Sequence, residues 1–176
     1  MKAAASPAGR AGQAGATSQA ALLLRLEIDE FNARYAAALD GGELRRWPDF
    51  FAEDPVYRLT SQENFDAGLP VGLIYCDSRG MLEDRVESIL STTVFTPRSI
   101  LHFVTNIELG AAQSDGSIAA RANFLLLENM IDRNPRLLMA GRYHDRFVRR
   151  DGGLLIKERH CVYETLTVQT SLIYPV

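Results

Sequence analysis

Four strand-like runs follow one another in the second half of this chain, over residues 100–109, 118–130, 137–149 and 154–166. Short turn signals separate them: Ser114-Asp-Gly116, Asn134-Pro135 and Asp151-Gly-Gly153. Consecutive strands joined by tight turns pair antiparallel, since a parallel pair needs a long crossover. One curved antiparallel sheet is therefore expected, and both of its faces must be covered or wetted. Such a sheet either encloses a small pocket or offers a face to another subunit.

The material to cover one face lies upstream. Leu24, Ile28, Phe31, Tyr35 and Leu39 recur at helical spacing and form one apolar stripe. Thr17 or Ser18 can cap the start of this helix, and Gly41-Gly42 stops it. A short second helix carries Leu44, Trp47, Phe50 and Phe51 on one side, with Pro48 in its first turns, and Pro55 ends it. Two short strands are expected over 56–60 and 73–76, with 61–70 as a polar loop between them. A third helix spans 79–90, burying Met81 or Leu82, Val86, Ile89 and Leu90. Helices first and a strand meander afterwards indicate an α+β fold.

At 176 residues the chain suits a single core, read as one domain over 18–176 behind a flexible Ala/Gly-rich tail at 1–17. Residues 1–16 lack the apolar segment of a secretory signal, and no run is long enough to span a bilayer. A soluble cytoplasmic protein is expected, with Cys76 and Cys161 as reduced thiols. The net charge of −3 and pI near 5.6 argue against a nucleic-acid partner.

Strand periodicity assigns faces. Leu101, Phe103, Thr105, Ile107 and Leu109 are predicted to share the apolar face, opposite His102, Asn106 and Glu108. Leu137, Met139, Tyr143 and Phe147 share another with Asp145, opposite Arg142, His144 and Arg146. Asp145 could move a proton if burial raised its pKa, but pairing with Arg159 or another arginine on the adjacent strand is the favoured reading. His144 and His160 face one another if the last hairpin has a three-residue loop, and lie on opposite faces if it has two. Even when paired they lack a good third ligand, so a structural or interface role is preferred. No metal-binding Cys/His spacing, nucleophile elbow or phosphate loop occurs, so no catalytic, cofactor or metal residue is assigned to this chain.

The order of several short segments resembles a known family. These are Phe31-Asn-Ala-Arg-Tyr35, Tyr57-Arg-Leu59, Met81-Leu-Glu-Asp-Arg-Val86, Leu101-His-Phe-Val-Thr-Asn106, Gly141-Arg-Tyr-His-Asp145 and Lys157-Glu-Arg159. Over 22–176 the chain resembles the small (beta) subunits of Rieske-type aromatic-ring-hydroxylating dioxygenases. Within them it looks most like those acting on aromatic carboxylates, such as the salicylate, benzoate and anthranilate enzymes. The resemblance implies a cystatin-like, or nuclear-transport-factor-2-like, fold. It also implies a large (alpha) subunit carrying a Rieske [2Fe-2S] cluster and mononuclear Fe(II), three copies of each subunit, and a ferredoxin or reductase as electron donor. This chain would then be a structural subunit. His102, Arg142, Arg159, Leu172, Ile173 and Tyr174 are the expected interface residues, with Val176 suited to join them. The rival reading is a stand-alone ketosteroid-isomerase-like or dehydratase-like enzyme using Asp145, His102 or His144. A third is a non-catalytic module that binds a small ligand.

Overall fold

The structure is a computed structural model that describes residues 18–92, 96–165 and 174–176. The predicted tail at 1–17 and the expected interface residues Leu172 and Ile173 lie outside the described residues.

Helix α1, Gln19–Asp40, buries the predicted stripe: Ile28, Phe31, Tyr35 and Leu39 are all within the core and Leu24 packs at its margin. Ser18 caps it, its Oγ accepting from the Ala21 N–H at 3.2 Å. Gly41 bonds back to Ala37, and Gly42, at φ +74, takes the left-handed conformation that ends the helix. The next segment, Leu44–Phe50, is a tight 3-10 helix that buries Leu44 and Trp47. Phe51 is already the first residue of strand β1, Phe51–Ser61. Pro55, expected to end the helical region, instead sits inside β1 where the pairing shifts between Phe51 and Val56. A bulge is where a strand tolerates a residue without an N–H.

The loop expected at 61–70 contains a short helix α2, Gln62–Asp66, capped by Ser61. Strand β2, Ile74–Cys76, follows, then helix α3, Arg79–Glu87, which continues into a wider turn over Ser88–Thr92. Leu82, Val86 and Ile89 face the core, whereas Met81 and Leu90 are exposed. The meander is β3, Arg98–Ala112, β4, Ile118–Met130, β5, Arg133–Arg150, and β6, Gly153–Tyr163. The described strands form one sheet in the order β2-β1-β6-β5-β4-β3. Every pair is antiparallel except β1–β6, which is parallel, an arrangement open to it because the long stretch of chain between these two strands serves as the crossover.

Bulges correct the predicted faces. In β3 the register against β4 shifts between Thr105 and Glu108, where Asn106 has φ +55. One extra residue inverts the alternation on either side of it. Ile107 therefore points inward as expected, but Leu101 and Phe103 point out and Ile100 and His102 point in. In β5 the same happens at Leu138: it is buried with Met139, while Leu137 is turned outward and is 55% exposed. The β4–β5 turn is Ile131-Asp132, and Asn134-Pro135 belongs to β5, beside a second register shift.

Candidate functional site

Each expected interface residue has a definite place. His102 lies on the inner side of the edge strand β3, with only 1% of its side chain exposed. Its Nδ1 is 2.6 Å from Oδ1 of Asp40, the last residue of α1, and its backbone N–H donates to the same carboxylate at 3.0 and 3.2 Å. Asp40 thus covers part of the free edge of the sheet, where open N–H groups would otherwise invite another strand.

Arg159 offers no surface at all. Its side chain is 0% exposed and forms a two-point pair with Asp145, Nε to Oδ1 at 2.9 Å and Nη2 to Oδ2 at 2.8 Å. Nη2 also donates to Asn32 Oδ1 at 2.7 Å, and the guanidinium lies 4.4 and 4.1 Å from the ring centres of Tyr35 and Tyr143. Burial presses the guanidinium pKa down, but the Asp145 charge and its hydrogen bonds win, and the net shift is well upward. Asp145 is thereby engaged on both oxygens. The sequence reading anticipated this pair but missed Asn32; a polar residue on the buried stripe of a helix was the available signal.

His144 and His160 do face one another, by a route the loop-length rule did not include. Arg150 pairs with Gly153 across the two-residue turn Asp151-Gly152, whose φ values of +49 and +80 suit a hairpin of the observed hand. That turn alone would set the histidines on opposite faces. Lys157 is an extra residue between the Phe147–Ile156 and Arg146–Glu158 pairs, and this bulge restores the parity. Phe65 of α2 covers the pair, with ring centres 4.6 Å from His144 and 6.0 Å from His160.

Burial lowers both imidazole pKa values below the usual 6.5, reinforced by Arg121 at His144 and by Arg58 at His160. The unfolded chain therefore takes up protons first, and stability is complete above about pH 6.5 and declines as pH falls below it. Urea unfolding between about pH 7 and about pH 5.5 is expected to show this decline. The double variant His144→Gln/His160→Gln should flatten it. An unchanged slope would mean other groups carry the pH dependence.

The outer face of β3, β4 and β5 is apolar where a solvated sheet would be polar. Phe103 is 53% exposed, and Leu101, Leu125 and Leu137 stand exposed on the same face. Phe103 and Leu125, with Thr105, Asn123 and Leu127, line a depression of about 600 Å³ on this face. Arg142 and Glu164 form an ion pair at its rim. Arg142 is thus the interface candidate whose charged group borders an open apolar surface. Patches of this kind on a sheet commonly mark protein contacts.

Val176 is a correction to the apolar-tail expectation, because it points inward. Its backbone oxygen accepts from Tyr35 Oη at 3.0 Å and Tyr57 Oη at 3.2 Å, and its N–H donates to Tyr57 Oη at 2.8 Å. Trp47 Nε1–H completes the chain at Tyr35 Oη, 2.9 Å away. Cys161 lies beside this group, its thiol pushed up to about 12 mainly by burial. Tyr174 is partly buried against the core. Among the described residues no group of three or more His, Cys, Asp or Glu side chains converges as metal ligands.

The family pattern described as "ring hydroxylating beta subunit" matches residues 34–170. The chain is 35% identical over 150 residues to the anthranilate 1,2-dioxygenase small subunit of Burkholderia cepacia, covering 85% of this chain and 92% of that one. It is 30% identical over 156 residues to a beta subunit of the terminal oxygenase component of terephthalate 1,2-dioxygenase from Comamonas, covering 88% and 99%. A solved structure from Novosphingobium aromaticivorans, assigned as the beta subunit of an aromatic-ring-hydroxylating dioxygenase, superposes with a TM-score of 0.81 at 34% identity. It covers 90% of this chain and 100% of that one. A pattern matched over most of the chain, in a cystatin-like fold shared over 90% of it with such a neighbour, places the chain in the family of beta (small) subunits of ring-hydroxylating dioxygenases.

Proposed function

We propose that the chain is a structural subunit that docks, through the outer face of β3, β4 and β5, on a large oxygenase subunit. The apolar depression around Phe103 and Leu125 carries this reading. It is large, lies on regular strands and has a charged pair only at its rim. Chemistry on this chain finds less support, since both oxygens of Asp145 are held by Arg159 and the Asp40 carboxylate holds His102.

In this reading the large subunit holds the Rieske [2Fe-2S] cluster and the mononuclear Fe(II), and a ferredoxin or reductase supplies it with electrons. The assembly contains three copies of each subunit and works in the cytoplasm. Two relatives are named for anthranilate and terephthalate. Both are aromatic carboxylates, so the substrate class proposed is an aromatic carboxylate, with salicylate among the candidates. Residues 18–176 act as one domain.

The double variant Phe103→Asp/Leu125→Asp tests the docking face. Burying two such side chains contributes about 1.5–3 kcal/mol each, so affinity for the large subunit should fall at least about a hundredfold. Phe103 and Leu125 face each other across β3 and β4, so two carboxylates there also lower the unfolding midpoint of the chain by itself. The variant Phe103→Lys/Leu125→Glu, with opposite charges at the facing positions, should hold the midpoint and lose the partner alike. Size-exclusion chromatography of the co-expressed subunits is the measurement; an intact assembly would overturn this face as the docking site.

A further inference from the structure

A second apolar surface stands at the opposite edge of the sheet from the docking depression. Leu69, Val71, Leu73 and Tyr75 recur at every second position along the chain into β2, and each is 42–57% exposed. Ile74 and Cys76 turn to the core instead. Extended backbone with a period of two brings the four outward side chains into one stripe. Four apolar neighbours facing water form a patch, which a lone exposed leucine does not.

The stripe is pinned in place. The Leu73 N–H donates to the Leu59 carbonyl at 2.7 Å, and Thr60 Oγ1 donates to the Val71 carbonyl at 2.7 Å. Gly72 lies so close to β1 that a Cβ there would stand 2.5 Å from the Leu59 oxygen. A surface ordered in advance loses little freedom when a partner covers it.

Its rim is acidic. Glu63 and Asp66 of α2 and Asp77 just after β2 are all exposed. No lysine or arginine occurs between Arg58 and Arg79, and these three carboxylates match the whole formal charge of the chain, −3. Arg58 itself is turned over the Tyr75 ring, 5.2 Å from its centre. The complement of this surface is an apolar face edged with lysine or arginine. A second copy of this chain is a poor occupant, since like surfaces would set the same carboxylates against one another.

The stripe is also set apart from the first docking face. In the sheet β2 lies four strand intervals, about 19 Å, from β4. Helix α2 covers the sheet between them, with Phe65 on His144 and His160. A closed ring of identical units needs two different surfaces on each unit, and this chain carries two apolar ones at opposite edges.

We propose that the stripe at 69–75 is a second docking surface, which seats the basic-rimmed apolar face of a neighbouring copy of the large subunit, so that one small subunit bridges two large ones. This rests on the docking reading above.

The test uses the full chain co-purified with its large subunit, and reads the mass of the complex by analytical ultracentrifugation along a dilution series. The variant Val71→Thr/Leu73→Thr keeps strand-forming residues and removes apolar surface. It should fall apart to one-plus-one pairs at concentrations about tenfold higher than the wild type, or more. The charge variant Glu63→Lys/Asp66→Lys should do the same without touching the strand, so a folding defect in the first variant does not decide the outcome. Phe103→Lys/Leu125→Glu, at the first face, should lose the pair itself.

Wild-type dilution curves for both stripe variants would overturn the second surface and leave the docking reading standing. Release of free small subunit from them would overturn it too, because stripe and depression would then serve one large subunit. A wild-type complex with a single large subunit would do likewise. Failure of the wild-type chain to associate at all would overturn both readings.

Discussion

Replacing Asp145 with alanine is expected to cost about 3–5 kcal/mol of unfolding free energy, the loss typical of breaking a buried ion pair from one side. Arg159 is fully buried, and two of its hydrogen bonds end on the Asp145 carboxylate. Without that carboxylate the guanidinium keeps Asn32 Oδ1 and two aromatic faces. Those do not neutralise a charge held away from water. The chain has one tryptophan, Trp47, in the same core, so urea unfolding followed by its fluorescence reports the loss directly. The double variant Asp145→Leu/Arg159→Met removes both charges and should recover much of the stability. A loss below about 1 kcal/mol for Asp145→Ala, the level of an exposed pair, would show that the pair is solvated.

Gly141→Ala should be comparably damaging for a steric reason. A Cβ at this position in β5 would stand 2.1 Å from the Val162 carbonyl oxygen, 2.8 Å from Tyr163 Cα and 2.9 Å from Phe124 Cζ. Two of these are backbone atoms of the neighbouring strand, so β5 and β6 must separate. Phe124 is also stacked on Tyr143, with ring centres 4.8 Å apart. Overpacking usually costs about 1–3 kcal/mol, and the upper end or beyond is expected here. Gly80→Ala is the matched control. Its Cβ would meet nothing within 4 Å in α3, and it should stabilise the chain by about 0.5–1 kcal/mol through helix propensity and a stiffer unfolded chain. Equal unfolding midpoints for the two variants would refute the steric account.

Much of the fold was legible before any coordinates. The α1 stripe, its Ser18 cap and its Gly42 stop follow from helical spacing and local backbone chemistry, and β4 spans the predicted 118–130. The pairing of Asp145 with Arg159 was also accessible, because a charge on an apolar strand face demands a partner. The outer apolar face was not. Leu101, Phe103 and Leu137 alternate with their neighbours in a way that assigns them to the core, and only the bulges at Asn106 and Leu138 turn them outward.

His102 was singled out as a polar contact, yet its position depends on Asp40, 62 residues earlier in the chain. His144 and His160 depend on one residue, Lys157, that the turn could not announce. The sequence by itself determined most of the elements, their order and the need for an internal ion pair, since these rest on local period and residue type. The family was legible only as a resemblance in the order of several short segments, and helix α2 and the first part of the strand that contains Pro55 were not legible. The tertiary structure decided which side of each strand meets the core. Strand parity has a period of two, so a single bulged residue inverts everything beyond it, and its position is set by the pairing of whole strands.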